Sequence, residues 1–173
     1  MKSAYRILVM GVSGCGKSTV GARLASKVHG RFVDGDSLHP ASNIEKMSKG
    51  EPLDDADRAP WLKEIAKRFH QAKQNSETLI IACSALKKRY REELRQADGR
   101  LITLFLEVDK NTLMTRMLAR EEEGKHFMPA SLLDSQLASL ENPTDETLVL
   151  RLSHALSIDE QVNQTLHFLS ELA

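Results

Sequence analysis

Residues 11–18 read Gly-Val-Ser-Gly-Cys-Gly-Lys-Ser, and this spacing restricts the architectures open to the chain more than any other feature. The run Arg6-Ile-Leu-Val-Met10 precedes it, short and apolar as a buried strand is. Behind it, Val20, Leu24 and Val28 share one face of a helix expected over 17–29. A glycine-rich loop between a strand and a helix holds phosphate for a physical reason. Gly11, Gly14 and Gly16 free the backbone so that N–H groups along Gly11, Val12, Ser13, Gly14, Cys15 and Gly16 converge on anionic oxygens. The helix N-terminus adds favourable dipole. In that arrangement Lys17 reaches the β- and γ-phosphates of ATP, Ser18 offers a hydroxyl to Mg²⁺, and Thr19 assists at the α-phosphate. Cys15 is read as a small residue presenting its N–H.

The rest of the chain alternates strand and helix. Strands are expected at 31–34, 78–83, 101–108 and 148–152, and helices at 43–49, 60–72, 113–120 and 158–172. A further helix carries Leu86, Tyr90 and Leu94, and another carries Leu132, Leu133, Gln136, Leu137 and Leu140. Trp61 and Tyr90 fall at core-like positions and are read as packing. The expected fold is therefore α/β, with a five-stranded parallel sheet flanked by helices in one domain over 1–173. The charged run Arg120-Glu-Glu-Glu-Gly-Lys-His126, within about 120–130, is the segment that reads as a mobile loop; a solvated helix end is the alternative.

Bulk composition removes several function classes. With 24 Lys plus Arg against 24 Asp plus Glu, net charge gives no general attraction to nucleic acid or membrane. The run 7–10 is too short to span a bilayer, and no signal-type cleavage site follows it, so a cytoplasmic location is expected. Cys15 and Cys83 lack metal or redox-pair spacing.

A phosphate loop alone does not define a reaction. No Asn-Lys-x-Asp guanine-selecting sequence occurs, and the run Thr78-Leu-Ile-Ile-Ala-Cys83 ends in Ser84 with no acidic residue. The carboxylates follow the second strand instead, as Asp34-Gly35-Asp36. The carboxyl end of a parallel strand faces the ligand crevice. Asp34 is placed to hold Mg²⁺ through water, and Asp36 to accept the proton of an attacking hydroxyl. The alternative is a polar Asp-Gly turn.

Two longer segments carry a resemblance. Residues 34–62 run Asp-Gly-Asp-Ser-Leu-His-Pro-Ala-Ser-Asn-Ile-Glu-Lys-Met-Ser-Lys-Gly-Glu-Pro-Leu-Asp-Asp-Ala-Asp-Arg-Ala-Pro-Trp-Leu, and residues 82–95 run Ala-Cys-Ser-Ala-Leu-Lys-Lys-Arg-Tyr-Arg-Glu-Glu-Leu-Arg. With the phosphate loop, these closely resemble the gluconokinase family over most of 7–95. That resemblance implies a fold similar to shikimate and adenylate kinases, with a mobile lid. It further implies ATP- and Mg²⁺-dependent phosphorylation of D-gluconate at the 6-hydroxyl, and a cytoplasmic homodimer.

Gluconate is a small polyhydroxy anion, so its pocket needs a cation and several polar groups. Arg58 is the first choice for the carboxylate, because a guanidinium grips one with two hydrogen bonds. Its alternative is a pairing with Asp55 or Asp57. His39, Lys87 and Arg91 are candidates for hydroxyls, carboxylate or the transferred phosphoryl group. Lys87 and Arg91 share a helix face, which a merely solvated basic face would also explain.

Arg116 and Arg120 stand four apart before the lid, with Lys125 and His126 inside it. Similarity to small-molecule kinases implies that Arg116 packs near adenine and Arg120 reaches the phosphates. Residues 153–156 are read as the adenine-side loop. Two rival readings stand beside this one: a kinase of another sugar acid, and a non-catalytic ATP-binding switch.

Overall fold

A computed structural model describes residues 3–123 and 130–173. Its elements run β1 (Arg6–Met10), α1 (Lys17–Val28), β2 (Arg31–Asp34), α2 (Ala41–Ser48), α3 (Asp55–Gln74), β3 (Leu79–Ala82), α4 (Lys88–Ala97), β4 (Ile102–Glu107), α5 (Lys110–Glu122), α6 (Leu133–Ser139), β5 (Val149–Ser153) and α7 (Ile158–Leu172). Short 3-10 turns at Gly35–Leu38 and Ala130–Leu132 precede α2 and α6.

The five strands form one parallel sheet in the order β2-β3-β1-β4-β5. Parallel neighbours need crossovers, and the helices between strands supply them. Central β1 sets Leu8 opposite Ile81 on one side and Thr103 on the other. Strand alternation sorts its side chains into two cores. Ile7 and Val9 pack with Val20, Leu24 and Val162 from α1 and α7, while Leu8 and Met10 meet Leu62, Ile65, Phe69 and Leu94 from α3 and α4. A sheet buried on both faces explains why β1 and β3 read as unbroken apolar runs. Each fully buried aliphatic side chain contributes about 1.5–3 kcal/mol.

The helix expected over 60–72 begins five residues earlier. Asp54 accepts the Asp57 N–H at 2.7 Å, and the Asp57 carboxylate accepts the Asp54 N–H at 3.0 Å, closing a capping box. That reciprocal cap sets the start, and Pro60 falls inside the helix instead of opening it. The extra turn and a half puts Arg58 on a rigid element.

β1, β2 and β3 all end on one side of the sheet, so residues 11–18, Asp34 to Asp36 and Ser84 meet along a single crevice. The Gly11 N–H donates to the Ser84 carbonyl at 3.3 Å across its base. Among the described residues, no helix is long and apolar enough to cross a membrane.

Candidate active site

The loop over 11–18 is shaped as its glycines predict. Gly14 and Gly16 take φ of 86° and 97°, in the left-handed region that favours glycine. Gly16 immediately precedes α1, whose first turn has no side-chain cap. Among the described residues, the N–H groups of Gly14, Gly16, Lys17 and Ser18 donate to no protein acceptor. Open donors at a helix N-terminus suit a polyphosphate. The Lys17 ammonium lies along the loop, bonded to the carbonyls of Gly11 at 2.9 Å and Val12 at 3.2 Å.

Two cavities open from this loop. The first is lined by Gly14, Gly16, Lys17, Ser18, Thr19, Asp34 and Arg120, among others. The second is lined by His39, Leu53, Arg58, Trp61, Ser84 and Gln136, among others. Ser13, Lys17 and Asp36 line both, so they form the shared wall. A third recess joins Arg116 and Arg120 to His154 and Leu156 beside the loop. The Arg116 guanidinium donates to the Gly14 carbonyl at 3.1 Å.

Gly35 explains how Asp36 arrives there. A Cβ at Gly35 would lie 2.3 Å from the Ala82 carbonyl oxygen, so only glycine lets the turn pass against the end of β3. The Trp61 indole N–H donates to the Gly35 carbonyl at 2.7 Å, and Asp34 accepts the Asp36 N–H at 3.0 Å. The turn carrying both carboxylates is thus held from α3 and from within.

Arg58 pairs with neither carboxylate neighbour. Asp57 is engaged by the capping box and by Lys46 at 2.8 Å. Asp55 accepts from Tyr90, Lys87 and Arg89, and that Tyr90 hydrogen bond, followed by the two cations, holds its carboxyl down to about 2. Arg58 instead donates to the Tyr90 hydroxyl at 3.2 Å and faces the second cavity.

Lys87 sits at the rim of this cluster, 3.3 Å from Asp55, outside the cavity lining. His39 is buried in the cavity wall, its ring stacked on Trp61 with centroids 4.0 Å apart. Burial first, and the Arg58 cation second, push its pKa down to about 4.

Arg91 requires a correction. It is fully buried, and all five of its donor positions are occupied. Two go to the Glu146 carboxylate, at 2.8 and 2.7 Å; the others reach the carbonyls of Ala85, Leu86 and Glu141. No donor remains for a substrate. Arg91 anchors the loop that carries Ser84 and Leu86 into the cavity, and so shapes the site from behind.

Sequence reasoning also missed groups that line the second cavity. Trp61 belongs to the core, but its edge reaches the pocket and its N–H holds the Asp34–Asp36 turn. Gln136 accepts the Ser13 N–H at 2.7 Å, bringing α6 against the phosphate loop. Its signal was a polar residue within an otherwise apolar helical stripe. Lys125, His126 and most of the expected lid lie outside the described residues.

Among the described residues, no cluster of three or more His, Cys, Asp or Glu could hold a metal ion. Ser18 and Asp34 share the first cavity, and two oxygen donors suit a hard cation that takes its remaining ligands from phosphate and water.

Comparison with known proteins finds relatives over most of the chain. A family model described as an AAA domain matches residues 7–143. Thermosensitive gluconokinase of Escherichia coli K12 is 42% identical over 161 residues, covering 91% of this chain and 84% of that protein. Gluconokinase of Gluconobacter oxydans 621H is 43% identical over 166 residues, covering 95% and 92%. The crystal structure of a gluconokinase from Sinorhizobium meliloti 1021 superposes with a TM-score of 0.87 at 42% identity, covering 100% of this chain and 95% of that one.

Proposed function

The chain belongs to the gluconokinase family, and from that premise we propose that it transfers the γ-phosphoryl group of ATP to the 6-hydroxyl of D-gluconate. One observation carries the reading at this site: Lys17 and Asp36 stand in the wall common to the phosphate cavity and the acceptor cavity. A transferred group must pass where those two cavities meet. A nucleotide switch has no need of a carboxylate there.

ATP lies with its phosphates on the open N–H groups of the loop and its base toward Arg116, His154 and Leu156. Gluconate enters the second cavity with its carboxylate on Arg58. Asp36 takes the proton of the 6-hydroxyl as the new O–P bond forms and the bond from the γ-phosphorus to the bridging oxygen breaks. ADP departs with that oxygen. Lys17 and Arg120 offset charge on the transferred group, which is the main demand of phosphoryl transfer. Mg²⁺, held by Ser18 and through water by Asp34, supplies further charge neutralisation when bound.

The proposal extends to a single domain over 1–173, a lid about 120–130, a cytoplasmic location and a homodimer. Nucleic acid and membrane have no part in it.

The test is ADP release, measured by a coupled assay, across a panel of aldonic and related sugar acids. Turnover stimulated by D-gluconate is expected. Stimulation by another acid alone would reassign the acceptor, and none by any acid would favour the switch.

A further inference from the structure

The acceptor cavity contains a histidine whose tautomer is fixed by groups that never reach the cavity. His39 follows the 3-10 turn after β2, and Asn43 lies four residues later on α2. The Asn43 side-chain nitrogen donates to the Asp57 carbonyl oxygen at 2.8 Å and lies 3.2 Å from His39 Nδ1. A backbone carbonyl can only accept, so it dictates which end of the Asn43 amide faces it. The same nitrogen must then give its second hydrogen to Nδ1. Nδ1 is therefore the lone-pair nitrogen, and the ring proton sits on Nε2.

Three further observations bear on what that proton does. His39 lines the acceptor cavity together with Asp36, Arg58 and Ser84. No protein group among the described residues hydrogen-bonds Nε2. Stacking on Trp61 at an interplanar angle of 18° stops the ring from tilting. The charged groups around the ring are Arg58 from α3, Lys17 from the phosphate loop and Asp36 on its own turn. Lys46 and Asp57 neutralise each other behind Asn43.

We propose that Asn43 is a positioning residue that locks His39 as a neutral imidazole, presenting Nε2–H as a donor to an oxygen of the sugar acid. This rests on the gluconate reading of the cavity and deepens it. His39 is excluded as a proton acceptor, which leaves that task to Asp36. The cavity then offers donors from His39, Arg58 and Lys17 against one carboxylate. It therefore favours polyols with an oxygen able to accept at the His39 position over analogues deoxygenated there.

The first experiment needs no substrate. Ring ¹⁵N spectra of the labelled enzyme should show His39 with unprotonated Nδ1 and protonated Nε2, unchanged between about pH 5.5 and pH 8. A protonated Nδ1, or titration near the ordinary histidine value, overturns the proposal.

The second uses N43D, whose carboxylate accepts from Nδ1–H and moves the lone pair to Nε2. The KM for gluconate should rise about tenfold, the loss of one hydrogen bond, with the KM for ATP unchanged. A new ionisation should also enter kcat/KM. Unchanged gluconate KM and an unchanged pH profile in folded N43D sink the idea. If N43D does not fold, H39Q and H39E decide it. Glutamine can still donate and should keep the lower gluconate KM; equal values overturn the proposal. Should the wild type show no turnover with gluconate, the acceptor assignment fails, while the spectra still report the tautomer.

Discussion

The Trp61 indole N–H donates to the Gly35 carbonyl oxygen at 2.7 Å, joining the core of α3 to the glycine between Asp34 and Asp36. A residue read as packing thus fixes a backbone position next to Asp36, the proposed proton acceptor. W61F keeps a ring to stack on His39 but leaves a buried carbonyl without its donor. It should destabilise the protein by about 1–3 kcal/mol. It should also lower kcat more than it raises either KM, because Asp36 loses its support. Urea denaturation and steady-state kinetics on the same preparation check both effects.

Asp36 is predicted to act in the chemical step. D36N should lower kcat by about a hundred- to ten-thousand-fold while ATP still binds, as measured by equilibrium titration with a fluorescent ATP analogue. K17A should weaken both nucleotide binding and turnover. A D36N enzyme within threefold of wild-type kcat would remove Asp36 as the proton acceptor.

His39 gives the stability curve a defined shape. Its pKa falls from 6.5 in the unfolded chain to about 4 in the folded one. Between those values the unfolded state binds a proton that the native state refuses. The contribution is therefore complete above pH 6.5 and is lost as pH falls toward 4. At most about 3 kcal/mol is involved. Comparing wild type with H39Q by urea denaturation at pH 7 and pH 4.5 isolates this term from the carboxylates. The wild type should lose more stability than the variant over that interval, and equal losses would count against a buried neutral ring.

What the sequence made legible is what lies close together along the chain. The phosphate loop is one contiguous segment, and Asp34 and Asp36 follow a strand whose end must face the crevice. The parallel sheet followed from the alternation of strands and helices, whereas the strand order and the division into two cores came from the structure. Asn43 left no such trace, since its role depends on a carbonyl at Asp57, fourteen residues away, and on a helix start that a capping box had shifted. Gln136 meets Ser13 across 123 residues of chain, and its place in the apolar stripe was the available hint. Polar side chains that act by holding another group carry no spacing rule, so their function becomes readable once the partners are in place.

Arg58 and Arg91 test that distinction most directly, because in sequence each is an arginine of a segment that carries the resemblance. Arg58 spends one donor on Tyr90 and faces the acceptor cavity; Arg91 spends all five inside the protein. R58A should therefore raise the gluconate KM tenfold or more, leaving the melting temperature and the ATP KM nearly unchanged. R91A strips a buried partner from Glu146 and three carbonyls, which should cost about 3–5 kcal/mol of stability. Its folded fraction should retain a KM close to that of wild type when assayed at low temperature with excess gluconate. Thermal denaturation and gluconate saturation curves on the two variants separate the roles. If R91A kept full stability and lost gluconate affinity, Arg91 would return to the substrate site and the anchoring role would be wrong.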